Sequence, residues 1–254
     1  MLKLRVIPTI LSKGFTLVKG ERFDGARAVG SPMQAVQVYN LRDVDELCFF
    51  DIAATSEGRG PDLALIDELA DKCQMPLTVG GGVHSVDDVR ALLAVGADKV
   101  AVGSGQFDNP SLVRSASERF GAQCVVAVID VWRGGNADGV PTVWSHNATR
   151  DTGFDPVEWA TDVAAMGAGE IVLQSVDHDG MMDGYDLAVL AAVTSAVDVP
   201  VIASGGAGTF EHMVDAVRIG GASAVAAAAM FHFTQHTPAE ARRHLAAAGI
   251  ATRS

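Results

Sequence analysis

The chain has 254 residues, of which 48% are hydrophobic and 20% charged, a globular composition that excludes a disordered chain. A single domain of that size buries roughly 70–75% of its unfolded surface, so it needs neither disulfides nor a structural metal to stay folded. Nineteen Lys and Arg stand against 31 Asp and Glu, a net charge of −12 with no basic block. This argues against nucleic acid or an anionic membrane as partner, but not against phosphorylated ligands, which backbone N–H groups bind without formal charge.

Eight apolar runs follow in chain order: RVIPTIL (5–11), LCFFDIA (47–53), PLTVG (76–80), KVAVG (99–103), CVVAVID (124–130), EIVLQS (170–175), PVIAS (200–204) and SAVAAA (223–228). Continuous runs of this kind suit strands buried on both faces of a parallel sheet. Helix starts lie between them. Ser31-Pro32, Asn109-Pro110, Asp155-Pro156 and Thr237-Pro238 each place a capping residue before a first-turn proline, and Ser85 and Thr209 cap two more helices. Gly-Ala pairs at 96–97, 167–168 and 221–222 close helices before the next strand.

The pattern repeats at an offset of 124 residues: Glu46 meets Glu170, Gly60 meets Gly184, Asp62 meets Asp186, Pro76 meets Pro200, and Gly81-Gly82 meet Gly205-Gly206. Strand–helix alternation in two equal halves predicts an α/β fold, a (β/α)8 barrel of two half-barrel repeats, spanning 1–254 as a single domain. Three scattered cysteines (Cys48, Cys73, Cys124) read as free thiols of a reducing compartment, and MLKLRVIPTILSKG is a poor signal peptide, so a cytoplasmic location is expected. No apolar run approaches the ~20 residues of a membrane span.

In such barrels chemistry sits on loops after the strand C-termini. Gly81 and Gly82 follow the third run; Gly205, Gly206 and Gly208 follow the seventh. Both clusters precede a helix N-terminus and so predict two phosphate sites, with Ser104 adding a hydroxyl to the first. A ligand carrying a phosphate at each end is the natural inference. Asp130 ends an apolar run, which marks it as a general acid or base of raised pKa. Asp177 and Asp179 end the sixth strand region, and Asp51 is either a further acid–base group or a brace for the next loop. His84 and His178 have no metal-ligand spacing, and neither a metal nor a cofactor is expected. At the strand starts, Arg5, Glu46, Lys99 and Glu170 either cap the barrel bottom or form a salt-bridge ring across its axis.

The motifs DELCFFDIAAT, TVGGGVHS, GADKVAVGS, VVAVID, TGFDPVEWA, GAGEIVLQSVDHDGMMDGYD, VIASGGAG and MFHF together resemble the HisF family, the cyclase subunit of imidazole glycerol phosphate synthase, over essentially the whole chain. The resemblance implies Asp130 as one catalytic aspartate, Lys19 in a mobile first loop, and ligand contacts at Asp51 and Asp179. It further implies a HisH-like glutaminase docked on the bottom face at Asp98, and passage of its ammonia through a gate of Arg5, Glu46, Lys99 and Glu170. The family's other catalytic aspartate falls on Leu11, which transfers no proton; Gly103, Gln174 and Ala229 replace an asparagine, a threonine and a phosphate-binding serine. With the IPTIL start and the segment Asn40 to Thr55, these departures are similar to a HisF-like branch called WbuZ. That branch implies an ammonia-conducting barrel serving a sugar amidotransferase in surface polysaccharide synthesis. A working cyclase–lyase of histidine biosynthesis is the alternative, and a HisA-like isomerase or bisphosphate-binding barrel the third.

Overall fold

The computed structural model describes residues 3–137 and 139–253. Strand β1 (Arg5–Lys13) leads into a hairpin, β2 (Thr16–Glu21) and β3 (Asp24–Gly30), then α1 (Pro32–Leu41). The first half continues with β4 (Leu47–Asp51), α2 (Leu63–Lys72), β5 (Leu77–Gly80), α3 (Val86–Ala94), β6 (Lys99–Val102), the short α4 (Gly105–Asp108) and α5 (Leu112–Phe120). In the second half come β7 (Val125–Trp132), a hairpin β8 (Thr142–Ser145) and β9 (Arg150–Asp151), and α6 (Pro156–Ala165). It finishes with β10 (Glu170–Ser175), α7 (Leu187–Ala196), β11 (Val201–Ser204), α8 (Phe210–Arg218), β12 (Ala224–Ala227), the short α9 (Ala229–Phe233) and α10 (Pro238–Ala247).

Parallel pairing runs β1–β4–β5–β6–β7–β10–β11–β12 and returns to β1, so eight strands close a (β/α)8 barrel. The side-chain period of two decides what each strand shows to the inside. On β1, Val6 and Ile10 join the outer core under the helices, while Ile7 joins an inner cluster with Cys48, Ala101, Val126, Val172, Ile202, Ala224 and Ala226. Both faces are thus buried, as the unbroken apolar runs anticipate. Each fully buried Leu of the outer layer, such as Leu47, Leu69 or Leu77, contributes about 1.5–3 kcal/mol by leaving water.

The expected caps are mostly in place. Ser85 forms a capping box with Asp88 and Thr237 one with Glu240; Asp155 accepts the N–H groups of Val157 and Glu158, and Thr209 that of His212. Two differ. Ser31 makes no side-chain cap bond, leaving Pro32 as the start signal. Asn109-Pro110 does not open a helix: α5 begins at Leu112, and the Asn109 side chain instead accepts from Ser111. The repeat is physical as well as textual, since Asp62 and Asp186 cap α2 and α7 through the same bond to the third following N–H.

The two hairpins are absent from the sequence reading. Strand β3 is exposed over most of its length and carries no apolar run, and β8 and β9 are too short to show one. Strands β1 and β7 also end two residues beyond their apolar runs, because each pairs antiparallel with the hairpin that follows it. Among the described residues no helix is long and apolar enough to cross a membrane.

Candidate active site

The strand C-termini surround a cavity of about 540 Å³. Thr9 and Leu11 of β1, Lys19 of β2, Asp51, Gly81 and Gly82, Ser104, Asp130 of β7, Gln174 and Asp179, Gly205 and Gly206, and Ala229 all line it. Strands β1 and β7 are four strands apart in either direction, so Leu11 and Asp130 look at each other across the mouth.

Asp130 borders Gln174 of β10 in register. Asp130 is half-buried on the cavity wall, and desolvation there, with the negative charge of Asp179 nearby, pushes its pKa up to about 7. Gln174 Nε2 donates to Asp179 Oδ1 at 3.3 Å. Burial raises the Asp179 pKa too, against the pull of Lys19. Lys19 is only 3% exposed, and its burial lowers its pKa to about 8 while Asp179 resists the fall. Three titratable groups thus meet on one side of the cavity, each held away from its ordinary ionisation by desolvation.

The hairpin β2–β3 places Lys19 there. Its turn residues Arg22 and Phe23 are both left-handed, and Arg22 N–H donates to the Asp179 carbonyl at 2.8 Å while its guanidinium Nε donates to the Asp177 carbonyl at 3.1 Å. Asp177 in turn accepts the backbone N–H groups of Arg133 and Gly134 at 2.8 and 2.9 Å, so it shapes the rim.

Asp51 lines the cavity and also braces its own loop. Its carboxylate is 6% exposed, accepts from Ala53 N–H at 3.0 Å and pairs with Arg59 at 2.7 Å, fixing the loop after β4 beside the cavity. The glycine turns lie where expected. Gly81 and Gly206 have φ of 112° and 108°, and a side chain on either would strike the carbonyl of Asp51 or Gly184. Ser104 lines the cavity with its Oγ accepting from His146 N–H at 2.9 Å. Gly208, by contrast, is outside the lining: its N–H is directed to His212 Nδ1 at 3.2 Å within the start of α8.

At the opposite end the strand-start charges do more than cap. Arg5 Nη1 lies 2.6 Å from Glu46 and Nη2 2.8 Å from Glu170; Lys99 Nζ lies 3.1 Å from Glu46 and 2.8 Å from Glu170. Two cations and two anions therefore alternate in a closed ring, with Thr78 Oγ1 donating to Glu46 at 2.8 Å. Asp98, on the same face, is exposed and accepts Leu77 N–H at 2.8 Å.

The family model described as "Histidine biosynthesis protein" matches residues 5–237. "Imidazole glycerol phosphate synthase subunit HisF" of Caulobacter vibrioides (strain NA1000 / CB15N) is 48% identical over 253 residues, covering 100% of this chain and 97% of that relative. The chain belongs to the HisF family.

Within the HisF family this relative carries a synthase-subunit name, and it supports the histidine-biosynthesis alternative better than the glycosyl-amidation reading. What the residues alone did not disclose in this HisF barrel is the second hairpin. Its turn, His146, Asn147 and Ala148, is left-handed throughout, and Asn147 lines the cavity while donating to the Ile52 carbonyl at 2.7 Å. Asp108 holds it from the side, 3.3 Å from His146 Nε2 and 3.2 Å from Arg150. The segment SHNATR carried a signal, since His and Asn tolerate that backbone region better than most residues.

Proposed function

We propose that this chain is the ammonia-using cyclase–lyase subunit of an imidazole glycerol phosphate synthase. Its ligand is the phosphoribulosyl formimino carboxamide ribotide, and its products are imidazole glycerol phosphate and aminoimidazole carboxamide ribotide. The observation that carries this reading is Asp130, a carboxyl of pKa about 7 on the wall of a cavity that is flanked by two glycine turns and sits above an apolar barrel interior. Near pH 7 such a group exists in both protonation states and suits proton transfer in ring closure. Gly81 and Gly82, with Ser104, hold one phosphate; Gly205 and Gly206, at the turn before α8 that Gly208 completes, hold the other; Lys19 and Asp179 contact the ligand between them. Leu11 offers no proton, so Asp130 works beside Asp179 rather than opposite a carboxylate on β1.

The subunit's partner is a HisH-like glutaminase on the bottom face at Asp98, in a cytoplasmic complex that needs no cofactor. Ammonia passes the gate of Arg5, Glu46, Lys99 and Glu170. The test is turnover of the ribotide by the purified chain with ammonium salt and no partner. Clear turnover supports the cyclase, and Leu11→Asp should then raise it by about tenfold or more, toward the range for adding a positioned acid or base. No turnover by the folded chain refutes it.

That second outcome would favour the conduit reading, in which the barrel delivers ammonia to a sugar amidotransferase. The observation on its side is Leu11 itself, an apolar side chain facing Asp130 across the cavity.

A further inference from the structure

Four strand-end side chains divide the cavity by chemistry. Leu11 of β1 stands in register beside Phe50 of β4, and Asp130 of β7 beside Gln174 of β10; all four line the cavity. In the closed strand order β1 lies opposite β7 and β4 opposite β10, so an apolar wall faces a polar one. Asp179, in the loop after β10, joins the polar wall through its bond from Gln174. Lys19 of β2 is the cation beside Asp179; His232 of α9, near Lys19 in turn, stays neutral because burial lowers its pKa to about 4.

Donors on the polar wall are unevenly shared. Asp179 accepts from Gln174 Nε2 at 3.3 Å, accepts the Phe23 N–H and feels the Lys19 ammonium. The Asp130 carboxyl takes no hydrogen bond from any described residue. Two carboxyls in one desolvated corner do not both ionise cheaply, so one proton is divided between them. An ionised oxygen accepts donors better than a protonated one. The donors gathered on Asp179 therefore leave the proton with Asp130. Gln174 is held for this task. Its Nε2 also donates to the Ser175 carbonyl at 3.3 Å, which settles which end of the carboxamide is nitrogen. Gly205 leaves the room, since a Cβ there would lie 2.9 Å from Gln174 Nε2.

We infer that Gln174 is a positioning residue for the acid–base chemistry: by donating to Asp179 it assigns the shared proton to Asp130, so that acid and base stand side by side on one wall of the cavity. This rests on the cyclase reading above. Gln174 acts through Asp179 and moves no proton itself. The arrangement needs no carboxylate across the mouth, and Leu11 and Phe50 there offer the ligand an apolar surface instead. The same geometry accounts for Asp130 titrating near neutrality, since an Asp179 kept ionised is the charge that works against ionisation of Asp130.

The experiment records the pH profile of ammonium-driven turnover of the ribotide for wild type, Gln174→Met, Asp179→Asn and the double variant. Methionine keeps the length and deletes the donor; Gln174→Leu repeats the measurement with a second shape, and thermal unfolding checks that each variant is folded. Without Gln174 the proton is free to return to Asp179, the charge beside Asp130 falls, and the break near pH 7 should move down by about half a unit or more. At pH 7 kcat should fall about tenfold, with the ribotide KM within about threefold of wild type. Asp179→Asn should move the break the same way, because its amide carries no charge. In that background Gln174→Met should add less than about a twofold effect, since both changes act through one group. A purely structural Gln174 would lower turnover and leave the break in place. An unmoved break in Gln174→Met and Gln174→Leu, or an undiminished effect beside Asp179→Asn, overturns the positioning role and leaves the cyclase reading standing. Absence of turnover in folded wild type overturns both.

Discussion

A carboxyl group that titrates near neutrality shows itself in both rate and stability. If Asp130 moves the proton, kcat/KM should break near pH 7, and the break should vanish in Asp130→Asn together with about 10²–10⁴ of the rate. Stability has a definite sign. Burial favours the neutral acid, so the contribution of Asp130 to folding is complete below the ordinary carboxylate range near pH ~4. It fades as pH climbs through about 7. Asn is neutral throughout, so the melting temperature of Asp130→Asn relative to wild type should rise between pH 4 and pH 8. A flat difference would mean that the carboxyl ionises normally. Asp130 was legible in the sequence because an apolar run ending in a charge is already a contradiction. The Gln174–Asp179 bond was not, since it depends on how the loop after β10 folds back over the end of its own strand.

At the scale of elements, the hairpin β2–β3 converts a surface lysine into a cavity group. Exposed lysines ionise freely, but on β2 the Lys19 ammonium is desolvated, and its pKa falls to about 8. Affinity of the free protein for a doubly phosphorylated sugar should therefore weaken as pH rises from 7 to 9. Lys19→Met should weaken binding at pH 7 by about tenfold or more, as loss of a charge-assisted contact does, and flatten that pH dependence in calorimetric titrations. Equal pH dependence in the two proteins would place the titrating group elsewhere. Here the sequence was least informative. The eight barrel strands announce themselves by continuous apolar runs, whereas β3 has an exposed, Ala- and Gly-containing sequence, and β8 and β9 give four and two residues. Tertiary bonds hold those hairpins in place: Arg22 to Asp179 and Asp177, His146 to Ser104, Asn147 to Ile52. Local propensity could not report them.

Across the whole molecule, the two half-barrels meet in the charged ring, and the ring does not weigh equally on its members. Glu46 and Arg5 are 2% and 7% exposed, while the Lys99 side chain is 18% exposed. A buried ion pair adds little over an apolar replacement, but removing one partner strands the other charge away from water. Arg5→Ala leaves the Glu46 carboxylate with Thr78 and Lys99 and removes its nearest cation; it should destabilise the chain by about 3–5 kcal/mol in denaturant titration. Lys99→Ala should lose clearly less, because water reaches the rim from the bottom face and Arg5 still contacts both acids. That makes Lys99 the better probe of passage. With the glutaminase bound, Lys99→Ala should alter the ratio of glutamine hydrolysed to product formed, while ammonium entering from the cavity mouth bypasses the ring and drives turnover near the wild-type rate. If glutamine-driven and ammonium-driven rates fall together in Lys99→Ala, the ring is only the barrel's bottom cap, and the gate is lost from the scheme with the cavity chemistry untouched.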